Sequence, residues 1–244
     1  MCMSEPAHAE PRIGTAGWSI PKQHAAAFPV AGSHLERYAQ RFNAAEINSS
    51  FYRPHRRATY ERWAASVPAD FAFAVKAPRM ITHDLRLAGA KAPLDIFLDQ
   101  ASGLGSKLGV LLFQFPPSFA FDARTVGAFF GALRRRHDGD IACEPRHASW
   151  FVGRAEALLR KHGISRVAAD PAVVPAAAEP GGAATLRYFR LHGSPQMYRS
   201  NYGPDRIAHY AGRLTAPAWC IFDNTTEGAA TGNALALAAI MRGS

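Results

Sequence analysis

The sequence predicts an α/β fold of the (β/α)8 barrel type, and three observations lead there. Short apolar or alternating runs recur along the chain. Longer segments with helical spacing separate them, and 244 residues at 48% hydrophobic are enough for one such barrel of about 250 residues. A doubly wound open sheet is the second fold that the pattern fits. The barrel reading makes residues 12–244 a single domain and leaves residues 1–11 as a disordered N-terminal tail.

The first strand run is Arg12 to Trp18, followed by a helix from Leu35 to Phe42. Ala45 to Phe51 is the second run, with a helix near Tyr60 to Trp63. Phe71 to Lys76 is the third, and Gly109 to Phe115, stopped by Pro116-Pro117, is the fourth, with a helix over Leu94 to Leu104 between them. A helix from Val126 to Arg136 leads to the fifth run, Asp140 to Glu144, and a helix near Ala155 to His162 leads to the sixth, Arg166 to Asp170. Pro171, Pro175, Pro180 and Gly181-Gly182 leave little room for a helix next, so a loop or degenerate helix is expected there. Leu186 to His192 and Ala218 to Asp223 are the last two strands, and Ala234 to Met241 is the closing helix.

The strands turn polar at their C-terminal ends. Alternation puts Glu46 with Asn48, Glu144 with Arg146, and Arg190 with His192 on shared faces, and Lys76, Gln114, Asp170, Asp223 and Asn224 end other strands. In a barrel, buried charge belongs at the open end of the interior, where substrate and water enter. These residues are therefore expected to form one polar cup. The competing arrangement is a self-neutralising ion-pair plug, with carboxylates balanced by Lys76, Arg146 and Arg190.

Within the cup, Glu144, His192, Glu46 and Asp170 are the candidate catalytic groups. Glu144 is the first choice as general acid or base because Arg146 sits two residues on, and His192, before a Gly-Ser turn, is an imidazole that could shuttle a proton. Lys76 and Arg190 suit an anionic group or a developing oxyanion. Asn48, Gln114, Arg146, His147, Asp223 and Asn224 are candidate substrate contacts. Trp18, Tyr52 and Trp150, with Tyr198 and Tyr202, are rings near that end on which a ligand would stack. Loops after the last two strands of such barrels often cradle phosphate on backbone amides, which nominates Gly193, Ser194, Gly228 and Gly232 as phosphate-binding.

The net charge of +9 points to an anionic small-molecule substrate, with nucleic acid as the other polyanion that a basic rim at Arg53-Pro54-His55-Arg56-Arg57 would suit. Arg134-Arg135-Arg136 ends a helix and belongs at the opposite end, complementing its dipole. No apolar run approaches the roughly 20 residues of a spanning helix, and the opening MCMSEPAHAEPR lacks a signal-peptide core. A cytoplasmic protein without a membrane partner is expected. Cys2, Cys143 and Cys220 lack metal-ligand spacing, which excludes a structural zinc and a disulfide framework. No cofactor is expected. Glu46, Glu144, Asp170, His192 and Asp223 are ligand types that a divalent ion accepts, but the interleaved Lys76, Arg146 and Arg190 disfavour one.

Taken together, Gly14-Thr15-Ala16-Gly17-Trp18-Ser19, Glu46-Ile47-Asn48-Ser49-Ser50-Phe51-Tyr52, Val75-Lys76-Ala77, Ile81-Thr82-His83, Leu112-Phe113-Gln114-Phe115-Pro116-Pro117, Glu144-Pro145-Arg146-His147-Ala148-Ser149-Trp150, Arg190-Leu191-His192-Gly193 and Phe222-Asp223-Asn224 resemble the YecE-like family, domain of unknown function 72. The resemblance runs in order from about residue 12 to 240 and implies a TIM-type barrel without an established reaction. Many members carry further aromatics after Gly17-Trp18-Ser19, where this chain continues Ile20-Pro21-Lys22-Gln23-His24.

Three functions fit these residues. The first is an enzyme of hydrolase or phosphoester-processing type acting on a phosphate- or nucleotide-containing small molecule. The second is a non-catalytic nucleic-acid binder using the basic rim. The third is a glycosidase-like enzyme with a Glu46/Glu144 pair, which needs carboxyl groups about 5 Å or about 6.5–9.5 Å apart. Glu144→Gln separates catalysis from the plug. A general acid or base loses about 10²–10⁴ in rate with little change in melting temperature. A closed ion-pair member instead destabilises the fold by about 3–5 kcal/mol.

Overall fold

The computed structural model describes residues 10–243; of the expected disordered tail, residues 1–9 lie outside the described residues. The chain is α/β, with two sheets of mainly parallel strands. One sheet is ordered β1 (Arg12–Thr15), β10 (Ala218–Phe222), β9 (Arg187–Leu191), β7 (Ala168–Asp170). The other is ordered β2 (Ala44–Ile47), β3 (Ala72–Lys76), β4 (Leu108–Gln114), β5 (Asp140–Glu144), β6 (Ile164–Arg166) and β8 (Gly181–Gly182), the last pair antiparallel.

Helices α1 (His34–Ala39), α2 (Arg57–Ala65), α3 (Lys91–Ala101), α4 (Ala123–Arg134), α5 (Gly153–Lys161), α6 (Pro204–Ala211) and α7 (Ala229–Gly243) connect the strands. Their starts carry local signals. Ser33 and Glu36 form a capping box at α1, the Asp122 side chain accepts from Thr125 N at α4 (2.7 Å), and Pro204 opens α6. The sequence analysis did not anticipate α6, whose eight residues fall in a polar, glycine-flanked stretch. After β7 a 3-10 turn, Pro175–Ala178, and the two-residue β8 replace a helix, as the prolines there require.

The expected sixth strand is divided at Val167, whose N–H bonds to Cys143 O (2.9 Å). Before the break β6 pairs with β5, and after it β7 pairs with β9. At the other junction, Ala16 bridges Glu46 in parallel and Gly17 N donates to Glu46 O (2.8 Å).

Side chains alternate between two cores. Ala45, Ile47, Phe73, Val75, Leu111, Phe113, Cys143, Phe189 and Phe222 pack outward beneath the helices. Ala44, Ala74, Val110, Leu112, Ala142, Val167, Tyr188, Trp219 and Ile221 form a separate inner cluster, with Tyr188 and Trp219 stacked at 5.9 Å. Alanines opposite two large rings are a volume match that fills a narrow interior. Among the described residues no helix is long and apolar enough to cross a membrane.

Gly14 is required by this closeness: a Cβ there would lie 2.0 Å from Ala44 O, on a carbonyl that already accepts from the buried Tyr38 hydroxyl (3.1 Å). Gly14→Ala should therefore cost about 3 kcal/mol by overpacking and lower the melting temperature by roughly 6–12 °C. Thermal unfolding checks this, and an unchanged midpoint would mean that β1 and β2 are not packed as described.

Candidate functional site

The inner row of side chains does not end with the apolar cluster. Continuing the same parity, β2 presents Glu46, β3 Lys76, β4 Gln114, β5 Glu144 and then Arg146, β9 Arg190 and then His192, and β10 is followed by Asp223. The polar cup expected from the sequence thus follows from alternation along each strand, one layer above Ala44, Ala74, Leu112, Ala142, Tyr188 and Ile221.

Arg190 is fully buried and stands at the centre. Its Nε donates to Glu46 Oε2 (2.9 Å), its Nη2 to Glu46 Oε1 (2.6 Å) and Asp223 Oδ2 (3.1 Å), and its Nη1 to Glu144 Oε2. Burial alone would favour loss of its proton, but Glu46, Glu144 and Asp223 hold the guanidinium charged, well above its ordinary value. The Tyr188 hydroxyl donates to Glu46 Oε2 (3.0 Å), so both oxygens of that carboxylate are satisfied.

Glu144 accepts from Arg146 Nη2 at its Oε1 (2.5 Å) as well as from Arg190. Burial pushes its carboxyl up, yet Arg146, Arg190 and His192 together hold it well below the usual carboxylate range. Asp223 is likewise pushed up by burial and brought below its ordinary value, by Arg190 and then by its bond to His192. His192, fully buried, lies between the two acids, with Nδ1 3.0 Å from Asp223 Oδ2 and Nε2 2.9 Å from Glu144 Oε1. Nε2 is also 2.7 Å from Arg146 Nη2. A carboxylate can only accept, so Nδ1–H donates to Asp223, while Nε2 faces both an acceptor, Glu144 Oε1, and a donor, Arg146 Nη2, and serves one of them at a time.

Above this lattice opens a cleft of about 360 Å³, lined by Phe51, Tyr52, Lys76, His83, Gln114, Phe115, Pro116, Pro117, Arg146, Val173, Met197 and Tyr198. Its rim carries side chains unusually exposed for their type, Tyr52 at 76%, Val173 at 42% and Tyr198 at 41%. Tyr198, at φ +69°, places its ring 5.7 Å from that of His192, and its N–H donates to His192 O. Met197 Sδ accepts from Arg146 Nη1 (3.8 Å). None of Glu46, Glu144 and Asp223 lines the cleft; what a ligand meets is Lys76, Arg146, His83 and Gln114.

Lys76 is 5% exposed, with Nζ 4.3 Å from the centre of the Phe51 ring, and its side chain makes no ion pair among the described residues. Burial, then repulsion from Arg190, pushes its ammonium down to about 8, against the pull of Glu46, Asp223 and Glu144. Arg146 Nε is buried without a partner. Burial and then the nearby Lys76 push the His83 imidazole below its ordinary value, and His83 Nδ1 pairs with Thr82 Oγ1 (2.9 Å).

Several expected residues belong elsewhere. Asp170 follows Ala168 on the outward parity of β7; its carboxylate accepts from Arg206 of α6 (2.8 Å), while only its carbonyl serves the cup, accepting from His192 N (2.7 Å). Trp18 is turned outward by Gly17 (φ +78°) and packs on Trp63 at 5.0 Å. Trp150 is fully buried in the outer core, stacked on Phe115 at 4.8 Å, and its Nε1 donates to Phe119 O. His147 caps the short turn that it precedes, accepting from Ser149 N (3.1 Å). Asn224 and Tyr202 tie the final loops together: Asn224 Nδ2 donates to Ser200 O and Asn233 Oδ1, and the Tyr202 hydroxyl accepts from Gly193 N.

That last bond also corrects the phosphate expectation. Gly193 N–H is spent on Tyr202, Gly228 N–H on Thr225 O, and Gly232 lies within α7 against the His24 ring. Neither Ser194 nor Asn48 lines the cleft, and Asn48 Oδ1 is buried without a partner among the described residues. Glu46 and Glu144 clamp one guanidinium and are 0% and 1% exposed, so neither offers a carboxyl to a glycosidic bond. On the basic rim, Arg57 pairs with Glu61 and Asp99, and His55 packs on Trp63. Sequence reasoning missed Tyr188, which its inward parity identifies, His83, which lies in a π-helical turn (Met80–Asp84), and Val173 and Met197, which lie in loops whose path no local pattern fixes. A larger groove of about 740 Å³ runs along α6 and α7, but its charged pair Arg199–Glu227 is self-satisfied (3.0 Å) and no strand residue lines it.

A family model described as "Protein of unknown function DUF72" matches residues 12–244. The chain is similar to UPF0759 protein YecE of Escherichia coli K12 (29% identity over 171 residues, 68% of this chain) and to UPF0759 protein YunF of Bacillus subtilis (29% over 153 residues, 57% of this chain). It spans 61% and 51% of those relatives' lengths. Among solved structures, a DUF72 family protein of Thermotoga maritima aligns with a TM-score of 0.77 at 25% identity, covering 96% of this chain and 99% of that one. One from Enterococcus faecalis aligns at 0.78 and 22%, covering 95% of each.

Removing the central guanidinium leaves three carboxylates buried without it. Arg190→Met should destabilise the fold by about 3–5 kcal/mol at pH 7. Glu144 and Asp223 titrate below their unfolded values, so their contribution is full above about pH 4.5 and is lost as pH falls through their folded values. In Arg190→Met that acid-side loss should shrink or reverse. Denaturant unfolding from pH 3 to 7 checks both, and near-native stability at pH 7 would refute the lattice.

Proposed function

The chain belongs to the family described as protein of unknown function DUF72, and from that premise we propose that it is an enzyme of hydrolase type. On this reading it acts on a small anionic molecule held in the cleft above Arg190. The two sheets close into one (β/α)8 barrel. The Ala16–Glu46 bridge and the exchange of neighbours at Val167 support that closure, and they leave eight strand positions once β6 and β7 are counted as one and β8 is set aside.

The observation that carries the reading is the state of the two cations on the cleft floor. Among the described residues, Lys76 is a buried ammonium without an ion-pair partner, and Arg146 keeps a buried N–H without an acceptor. Formally Glu46, Glu144 and Asp223 balance Arg190, Arg146 and Lys76, but the three carboxylates and Arg190 lie outside the cleft lining, whereas Lys76 and Arg146 line it. An anionic oxygen between Lys76 and Arg146 completes both. Tyr52, Val173, Met197 and Tyr198 supply the apolar wall for a ring or hydrocarbon on the same molecule, which suits a nucleotide or another phosphate or carboxylate ester.

Proton transfer in this reading falls to Lys76, brought down to about 8, and to His83, whose imidazole burial and Lys76 push toward its neutral form; both line the cleft. Glu144 and Asp223 hold His192, and through it Arg146, in place.

An unpaired buried ammonium is a stability cost. Lys76 in the folded state releases its proton at about 8, whereas an unfolded lysine does so at about 10.4, so the unfolded chain binds more protons between these values and stability rises with pH across that window. Lys76→Met should raise stability at pH 7 by about 1–3 kcal/mol and abolish that rise. The same variant should lose the melting shift that phosphate or a nucleoside monophosphate gives the native protein, a shift that follows RT ln(1 + [L]/Kd). A native protein indifferent to every anion tried would remove the proposal.

A further inference from the structure

Of the five lysines in the chain, Lys22, Lys91 and Lys161 are exposed and Lys107 is half-buried; only Lys76 is buried. It extends from the end of β3 beside Phe51, and the cleft walls around it, Phe115, Pro116, Pro117 and Met197, are apolar. A lysine in such a place is poorly suited to be a structural cation. Among the described residues no carboxylate pairs with it, while Arg146 and Arg190 are bonded to the acids of the lattice.

We infer that Lys76 is a covalent site, whose ε-amine condenses with the carbonyl group of a small anionic aldehyde or 2-oxo acid to form a Schiff base. This rests on the reading of the cleft as an anion site and adds a chemical class to it. Arg146 supplies the second anchor, since its Nε–H is buried without a partner among the described residues. The carboxylate or phosphate of the ligand bonds there, and the carbonyl carbon meets Lys76 Nζ.

The step balances without an outside reagent. The neutral amine adds to the carbonyl carbon, a C–N bond forms, and the C=O π pair moves to oxygen, which takes up the proton that the new ammonium nitrogen sheds. The carbinolamine then expels that oxygen as water while the nitrogen lone pair closes the C=N bond. Nothing is oxidised or reduced. His83, whose ring packs 4.9 Å from the same Phe51 ring that Lys76 covers, is the group placed to relay one proton from solvent to the departing oxygen. The resulting iminium withdraws electrons from the adjacent carbon, which activates its C–H bond. Burial, the repulsion of Arg190 and the opposing pull of Glu46, Asp223 and Glu144 leave a useful fraction of free amine close to neutral pH.

The test is reductive trapping on the full chain. Protein is incubated with pyruvate or with glycolaldehyde phosphate and cyanoborohydride, then mapped by peptide mass spectrometry. The expected result is an adduct on Lys76 at least about tenfold above that on any of the other four lysines, absent in Lys76→Arg. The preferred probe tells a carboxylate ligand from a phosphate ligand. In parallel, lactate and glycerol phosphate, which lack the carbonyl, are titrated and followed by amide shifts. Shifts near Arg146 with no selective adduct would overturn covalent chemistry and leave the anion site standing. Neither shifts nor adduct would overturn both. Labelling spread evenly over the lysines, or unchanged in Lys76→Arg, would also refute the inference.

Discussion

The sharing of one guanidinium among three carboxylates constrains everything else in this molecule. Glu46 from β2, Glu144 from β5 and Asp223 from the end of β10 all converge on Arg190 of β9. An arginine in a fully dry position is costly unless its donors are used, and here every one of its three nitrogens has an acceptor. The bonds also tie strands that are far apart in sequence and lie in both sheets. Register errors on any of them would strand a charge in the interior. The lattice therefore rewards one arrangement of the strand ends and penalises its neighbours.

The lattice also decides which chemistry remains for the cleft. By drawing the carboxylates downward, Arg190 leaves the upper surface to Lys76, Arg146 and His83. By its own charge it weakens the hold of Lys76 on its proton. A basic amine in an apolar pocket is thus a by-product of an acid-neutralising core. The strain of leaving it unpaired is tolerable because the remainder of the layer is so fully bonded, which is the usual way that local rules are broken at functional sites.

Most of the architecture was legible in the sequence because it depends on alternation and on proline. The apolar runs mark most of the parallel strands, and the proline-rich stretch after Asp170 marks a connection with no α-helix. The charged layer was legible for the same reason: Glu46, Lys76, Glu144, Arg190 and His192 end strands on the inward parity. Asp170 shows the limit. It also ends a strand, but one residue of phase puts it on the outward side with Ala168, and the interruption at Val167 hides that phase in a linear reading. Trp18 was misplaced because the left-handed turn at Gly17 redirects the chain after the strand ends. The cleft walls, Val173 and Met197 among them, come from loops, whose course is set by tertiary contacts such as Met197 on Arg146.

The segment between β9 and α6 has a double tie to the buried layer, through Tyr198 N–H on the His192 carbonyl and Met197 on Arg146, whereas Tyr52 on the opposite wall is 76% exposed. The two walls are therefore unequal as material for evolution. Drift on the Tyr52 side can change which apolar group the cleft prefers while leaving the ion lattice undisturbed. Drift on the Tyr198 side reaches the histidine at once, so new specificities should arise from one wall and be restrained by the other.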